Sequence, residues 1–498
     1  MLPDSLFMRS LVRLSVIALS SVTIASFIYF GYCLHVVGNI SPPLELPFLP
    51  GVQGYVVDLI HWWFAFEILF YIWFLSTRNR LQKPRPPARL PKGERIELLK
   101  NCLKQVDDMN TFLEGWFDVG HHQTKVADIY RGNLISWLSW VCFGATHEVL
   151  AEDPEIVEEL NEMVAMVETR GGIKFPEGFN PDAKCIRLNI DPVNAIHRPL
   201  IFYAVILGLD FAAKLLLTCL GFRNYTKDQT KKASFWSESM EFDLKEEFGA
   251  KKYALPYWYY DPTKSWFGSG SKRRSSKMKP IVFVHGIGPG LGCYLMFIWK
   301  LLKLGQPIFL VELPYVSMRF VEESPSMEEL GKEIENMLES HGFRSACFIG
   351  HSLGSMVVSW MVNNHLKRVK SAFFIDPICF LLFHPSVAYN FVYRVPKTAR
   401  EYFLHYYASK ELFISNFISR YFVWFNSILL TDGANLPKKM FVYLAENDLL
   451  VPSRDVEKYL IGTNVHCRVF TGLDHASFLF NPKEENEILE NVKRCVTA

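Results

Sequence analysis

No charge of one sign dominates this sequence. Its 498 residues hold 53 Lys and Arg against 51 Asp and Glu, a net +2. That balance argues against a generic nucleic-acid binder. Ten cysteines form no C-x-x-C and no other zinc spacing, and a disulfide scaffold is not expected in a chain of this length. There is no H-E-x-x-H, no G-x-x-x-x-G-K-[S/T] and no acidic cluster near a strand end. Metalloenzyme and phosphoryl-transfer chemistry therefore have no support, and no metal or cofactor is expected. Internal repeats are absent too. With 50% hydrophobic and 15% aromatic residues, the chain is neither disordered nor collagen-like.

What the chain has in excess is apolar length. Residues 14–37 carry one strongly polar member, His35, near the end, and are long enough to cross a ~30 Å hydrocarbon layer. A cleaved signal peptide is the alternative, but its apolar stretch is normally only ~7–15 residues. Residues 55–75 form a second candidate with Asp58, His61 and, near the middle, Glu67. A carboxylate there needs a partner, and Ser20, Ser21, Thr23 and Ser26 of the first span offer hydroxyls. The loop 38–54 has no Lys or Arg, whereas Arg9 and Arg13 precede the hairpin and Arg78, Arg80, Lys83, Arg85, Arg89, Lys92 and Arg95 follow it. The positive-inside bias places both hairpin ends in the cytosol. The sequon at Asn39 lies too close to the membrane to carry weight. Residues 199–222 are a third apolar stretch, able to span, to lie in the membrane surface or to pack on the rest of the protein; its Asp210 and Lys214 can pair along one helix face.

Residues 81–92 read as a basic Pro-rich linker and residues 94–170 as helical, with apolar residues at three- and four-residue steps. His121, His122 and His147 have no ligand partners at metal spacing and read as ordinary histidines. The basic stretch 264–279 reads as a solvated loop, although Arg273-Arg274-Ser275-Ser276 resembles a basic-directed kinase site. From Pro280 short apolar runs alternate with helical ones, the pattern of parallel βαβ units. The candidate strands are 280–286, 307–313, 345–350, 371–376, 438–448 and 466–472, with helices near 291–304, 326–341, 353–366 and 483–494.

Gly350-His351-Ser352-Leu353-Gly354 sits where a strand ends and a helix begins. A serine on such a turn projects its hydroxyl above the sheet edge, and glycines at Gly350 and Gly354 relieve the strained turn. The helix N-terminus aims its amides at developing negative charge. His285-Gly286-Ile287-Gly288 follows another apolar strand. Its glycines let the backbone approach a carbonyl, so the amides of Ile287 and Leu353 would form an oxyanion hole, with His285 structural. A serine hydroxyl needs a base, and the base an orienting acid. His475 and Asp448, each beyond a late strand, supply them in the order Ser…Asp…His. Asp376 also ends a strand and is an alternative acid; Glu446 and Asp474 are further neighbours.

With these motifs the C-terminal part of the chain, residues 280–498, resembles the α/β-hydrolase superfamily in its esterase/lipase-like branch. The whole is similar to poorly characterised membrane-associated members. The resemblance implies an α/β fold, a mostly parallel sheet with helices on both faces and a helical cap, using serine to hydrolyse an ester or amide through an acyl-enzyme. The expected organisation is a membrane hairpin (1–80), a linker and helical accessory region (81–198), an apolar helix (199–222) and a hydrolase domain (223–498) with a cap at 377–438. That insertion holds 15 aromatics in 62 residues, enough to build an apolar site. Residues 413, 417, 421 and 424 would form one stripe if the segment were helical.

The leading expectation is an integral membrane enzyme of the endoplasmic reticulum or a connected membrane. Its catalytic domain would face the cytosol, its substrate would be a lipid ester, and long acyl chains would be preferred over short ones. An acyltransferase on the same fold would use the same serine while excluding water. A non-catalytic scaffold would have no need of all three of Ser352, Asp448 and His475.

Overall fold

A computed structural model of the chain describes residues 4–42, 54–117, 124–225, 254–264, 278–432 and 435–497. His121, His122 and residues 273–276 lie outside these. Two long helices open the fold, α1 (Leu6–Tyr32), extended by a wider π-helical turn (Cys33–Val37), and α2 (Tyr55–Arg80). Helix α1 begins earlier than its apolar stretch because Ser5 caps it, its side chain accepting from the Met8 amide. Both helices are long and apolar enough to cross a membrane, and so is α8 (Leu200–Cys219). They run antiparallel: Thr23 meets Glu67 while Tyr29 meets His61 further along.

Glu67 is fully buried. Its carboxylate accepts from the Thr23 hydroxyl at 2.8 Å, the bond expected from sequence. It also accepts from the Leu200 amide at 2.8 Å, the unpaired N-terminus of α8. One side chain thus joins all three apolar helices. Helix α8 packs on the body of the protein with one stripe, Phe202, Tyr203, Ile206, Ala213 and Leu217, and leaves Val205, Leu209 and Leu216 exposed on the other. Asp210 pairs with Lys214 at 3.3 Å, as expected, and also with Arg319 of the C-terminal part of the chain.

The accessory region contains α3 (Lys92–Lys104), α4 (Met109–Trp116), α5 (Arg131–Phe143), α6 (His147–Leu150) and α7 (Pro154–Gly171). Asp153 caps α7 ahead of Pro154, as its sequence foretells. The region is not a separate body. Its Leu113, Trp116, Leu138 and Val164 share one apolar core with the sheet and the cap. The Pro-rich segment is strapped down as well: the Leu81 and Gln82 carbonyls accept from Arg420, and the Arg85 guanidinium lies 4.0 Å from the Tyr421 ring centre.

Among the described residues the sheet has eight strands, β1 (Arg223–Tyr225), β2 (Tyr257–Tyr260), β3 (Ile281–Val284), β4 (Ile308–Val311), β5 (Ala346–His351), β6 (Val369–Ile375), β7 (Met440–Ala445) and β8 (His466–Phe470). They are ordered β1-β2-β4-β3-β5-β6-β7-β8, with β1 and β2 antiparallel and the rest parallel. All six strands expected from sequence are present; β1 and β2 were not foreseen. Side chains alternate between the faces: Val282 and Val284 enter one core, Ile281 and Phe283 the other, so in the central strands neither face meets water. Helices α9 (Leu295–Leu302), α10 (Met327–Ser340), α11 (Gly354–Asn364), α16 (Ser453–Leu460) and α17 (Pro482–Thr497) cover the two faces.

The cap is a chain of short pieces, α12 (Pro385–Ala388), α13 (Ala399–Leu404), α14 (Leu412–Asn416) and α15 (Trp424–Ser427), interleaved with π-helical turns at Tyr389–Tyr393, His405–Ser409 and Phe417–Tyr421. The 413–424 stripe is therefore not one helix. Phe413 packs on Phe320, and Phe417 stacks on Tyr315; both are buried and neither faces lipid. The cap is tied to the start of the chain. Asp4 accepts from the Ala399 amide, Arg13 donates to the Tyr402 hydroxyl, and the Tyr407 hydroxyl donates to Ser15.

Replacing Glu67 by Ala leaves the Leu200 amide and the Thr23 hydroxyl without their acceptor, at a cost of about 1–3 kcal/mol. The melting temperature in detergent should fall, and Glu67→Gln should retain part of the loss. An unchanged transition in the Ala variant would show that Glu67 does not hold the three helices together.

Candidate active site

From β3 the chain passes to β4 on one side, then returns to β5 on the other. The carboxyl ends of β3 and β5 therefore flank a crevice, the place where parallel α/β sheets bind ligands. Ser352 stands there, in the left-handed region with φ of 52°. Its amide donates to the Ile375 carbonyl at 2.9 Å, and its own carbonyl accepts from the Ser355 amide and hydroxyl. The close fit of α11 on β3 explains Gly354, where an added Cβ would lie 2.3 Å from the Val284 carbonyl oxygen. A Cβ on Gly286 would lie 2.8 Å from that of Ser352, so the loop after β3 can approach the serine only with glycine there.

The His475 Nε2 is 2.8 Å from the Ser352 Oγ, and its Nδ1 is 2.6 Å from an oxygen of Asp448. The other Asp448 oxygen accepts from the Leu450 and Val451 amides at 2.7 and 3.0 Å. With its carboxylate an acceptor on both sides, Asp448 fixes the neutral form of the imidazole with the proton on Nδ1 and the lone pair on Nε2. The serine hydroxyl then donates to Nε2. Burial opposes a charge on His475, but the Asp448 carboxylate overrides this and holds the pKa up to about 9.

Asp376 has a different task. One oxygen accepts from the Ala445 amide at 2.9 Å and the other from the Ala476 amide at 2.8 Å. It ties the end of β6 to β7 and to the loop bearing His475, without bonding to that imidazole. Glu446 accepts from the Gly472 amide and pairs with Arg454. Asp474 pairs with Arg400 of the cap. His285 is buried; its Nδ1 donates to the Gly286 carbonyl and its Nε2 accepts from the Leu313 amide. Burial pushes its pKa down to about 4, so it stays neutral in a structural place. Gly288, with φ of 152°, and Gly350 complete the two loops. Ile287 and Leu353 both line the cavity at Ser352, and among the described residues neither amide donates a hydrogen bond. Asp376, Asp448 and His475 each bring one ligand atom within 4.8 Å of the others, but all are engaged in the bonds just described.

Several neighbours had no signal in the sequence. The Tyr294 hydroxyl lies between the Gly286 amide and His351 Nδ1, at 3.2 and 2.7 Å, joining the two loops from beneath. Trp116, Trp140 and Leu188 reach the cavity from the accessory region. The cap does cover Ser352 as expected, and each of its π-helical turns sends a side chain to the wall: Phe391, Ala408 and Ile418. Such turns recur at functional sites.

Residues 279–422 match the family model described as the alpha/beta hydrolase fold. The fold of this part of the chain is that of an α/β hydrolase. No curated protein matches it. Similar solved structures include a carboxylesterase from Nitrososphaera gargenis (18% identity, 50% of this chain and 97% of that one, TM-score 0.34). A monoacylglycerol lipase from Paleococcus ferrophilus is 19% identical over 44% of this chain and 93% of that one, with a TM-score of 0.32. A bacterial membrane phospholipase A is 13% identical over 60% and 97%, with a TM-score of 0.36.

The two carboxylates should separate on mutation. Asp448→Asn removes the acceptor that fixes the imidazole and should cost about 10⁴ in rate. Asp376→Asn should retain more turnover and lose stability instead, by about 1.5–3 kcal/mol. Because the folded pKa of His475 lies above the free value near 6.5, the pair's stabilisation is complete below about pH 6.5 and fades as pH rises through about 9. The same sign sets activity. A neutral base is needed, so the acid limb of kcat/KM should lie above 6.5 and move down in Asp448→Asn. A limb that stays put would remove Asp448 from this role.

Proposed function

We propose that this protein is a membrane-associated serine hydrolase that cleaves a carboxylic ester of a lipid. The observation that carries the reading is the unbroken chain from the Ser352 Oγ through His475 to Asp448. His475 takes the serine proton as Oγ attacks the ester carbonyl, and the Ile287 and Leu353 amides receive the oxyanion. The imidazolium returns that proton to the departing alcohol. Water, activated by the same imidazole, then attacks the acyl-serine, and collapse of the second tetrahedral species frees the acid and the serine. All of the residues lining the cavity at Ser352 are apolar except Asn189, Ser352 and His475, with Leu382, Phe383, Phe391 and Leu404 among them, an ill fit for a polar substrate.

The membrane reading rests on α1 and α2. Both the start of α1, through Asp4 and Arg13, and the end of α2, through the Arg80–Glu322 pair, contact the catalytic domain. The hairpin therefore has both ends on the catalytic side, where the arginines and lysines also lie. That side is assigned to the cytosol.

A fluorophosphonate probe should label the wild type and fail on Ser352→Ala, whose fold is retained. Protease added to intact microsomes should digest the C-terminal half. Protection of that half would reverse the topology, and labelling that persists in Ser352→Ala would overturn the nucleophile. Product analysis with an added alcohol separates hydrolysis from acyl transfer.

A further inference from the structure

The cavity beside Ser352 is closed by a part of the chain to which no role has been given. Trp116 on α4, Trp140 on α5 and Leu188 beyond them form the wall that the accessory region supplies. Its volume is about 120 Å³. An apolar cavity of about 150 Å³ takes one benzene, so this one has room for about five carbon atoms. Sites that engulf larger ligands measure about 300–1,000 Å³.

Behind that wall lies a second cavity of about 320 Å³, roofed by Arg85, Pro86 and Pro87. Trp140, Val141, Asn189 and Trp424 line both. The partition is held by directed bonds. The Trp424 Nε1 donates to the Val141 carbonyl at 2.8 Å, and the Asn189 amide donates to the Phe422 carbonyl at 2.8 Å. Trp140 is 3% exposed and leans on Trp116 at 5.4 Å between ring centres, while the Trp116 Nε1 donates to the Phe383 carbonyl at 3.2 Å. Rings fixed in this way do not swing aside as a single side chain would.

From this geometry we infer that the accessory helices set the acyl length this enzyme accepts, with Trp140 as the end stop of a site cut for acyl groups of about six carbons, the carbonyl carbon included. The inference rests on the serine-hydrolase reading. The closed end suits the acyl part because the acyl group remains on Ser352 after the alcohol has left. The apolar bulk of a lipid substrate then lies on its alcohol side. This is a shorter chain than the membrane anchor alone suggests.

The test is a series of monomeric esters of one alcohol, with acyl chains of about two to sixteen carbons. Each methylene buried in the site contributes about 0.8 kcal/mol, or about fourfold in kcat/KM. The wild type should climb at about that slope to about six carbons and fall at least tenfold by twelve. Trp140→Ala joins the two cavities and should move the optimum to ten carbons or more. Trp140→Phe, a smaller packing loss, should move it the same way by less. Probe labelling of Ser352 in each variant reports an intact site. A wild-type series that rises without a break to sixteen carbons would overturn the inference. So would an optimum that stays in place in a labelled Trp140 variant. Absence of labelling and of hydrolysis for every ester in the wild type would instead overturn the underlying enzyme assignment.

Discussion

A serine held at positive φ at the end of β5 is the constraint around which the catalytic domain is arranged. Outside glycine such a backbone costs on the order of 1–3 kcal/mol and persists only where the surroundings over-determine it. Here they do. Strand β6 accepts the Ser352 amide through Ile375, the first turn of α11 receives its carbonyl, and α11 sits against β3 so closely that Gly354 has no space for a side chain. Three neighbouring parallel strands must be in register for that turn to exist. The apolar, doubly covered sheet is therefore what allows a hydroxyl to stand out above its edge.

The same crowding explains how two carboxylates near one imidazole avoid competing. Asp448 and Asp376 both end strands and both lie near His475. Asp448 opens a turn that offers it the Leu450 and Val451 amides and leaves its other oxygen pointing at Nδ1. Asp376 spends both oxygens on backbone amides of two other segments. Charge alone would not have divided these roles; the directions of the amides did.

Much of this was legible in sequence, because the informative signals were local. Period and run length marked the six parallel strands, and glycine placement marked the two loops that meet at Ser352. Order along the chain pointed to His475 and to Asp448, with Asp376 left open as an alternative acid. What was not legible depends on distant contacts. Strands β1 and β2, with their Tyr and Trp residues, pair antiparallel at the sheet edge and have no alternation to betray them. The stripe 413–424 obeyed helical spacing, yet the chain breaks into short turns so that Phe417 can stack on Tyr315 while Ile418 turns to the cavity. Glu67 pointed to a hydroxyl of the neighbouring helix, and nothing in its surroundings pointed to the amide of Leu200. The tryptophans of the accessory region looked like ordinary core because only the folded chain brings them to the serine.

The bonds between the first helix and the cap span 389 to 395 residues of chain. At about 5–20 residues per second of synthesis, α1 leaves the ribosome roughly 20–80 s before Ala399, Tyr402 and Tyr407 exist to meet it. During translation the polar groups at its start must be served by water or by lipid headgroups. The catalytic domain can acquire its finished cap only after the ribosome has delivered Tyr407. Assembly is thus a late event, in which the first helix waits for a segment made long after it.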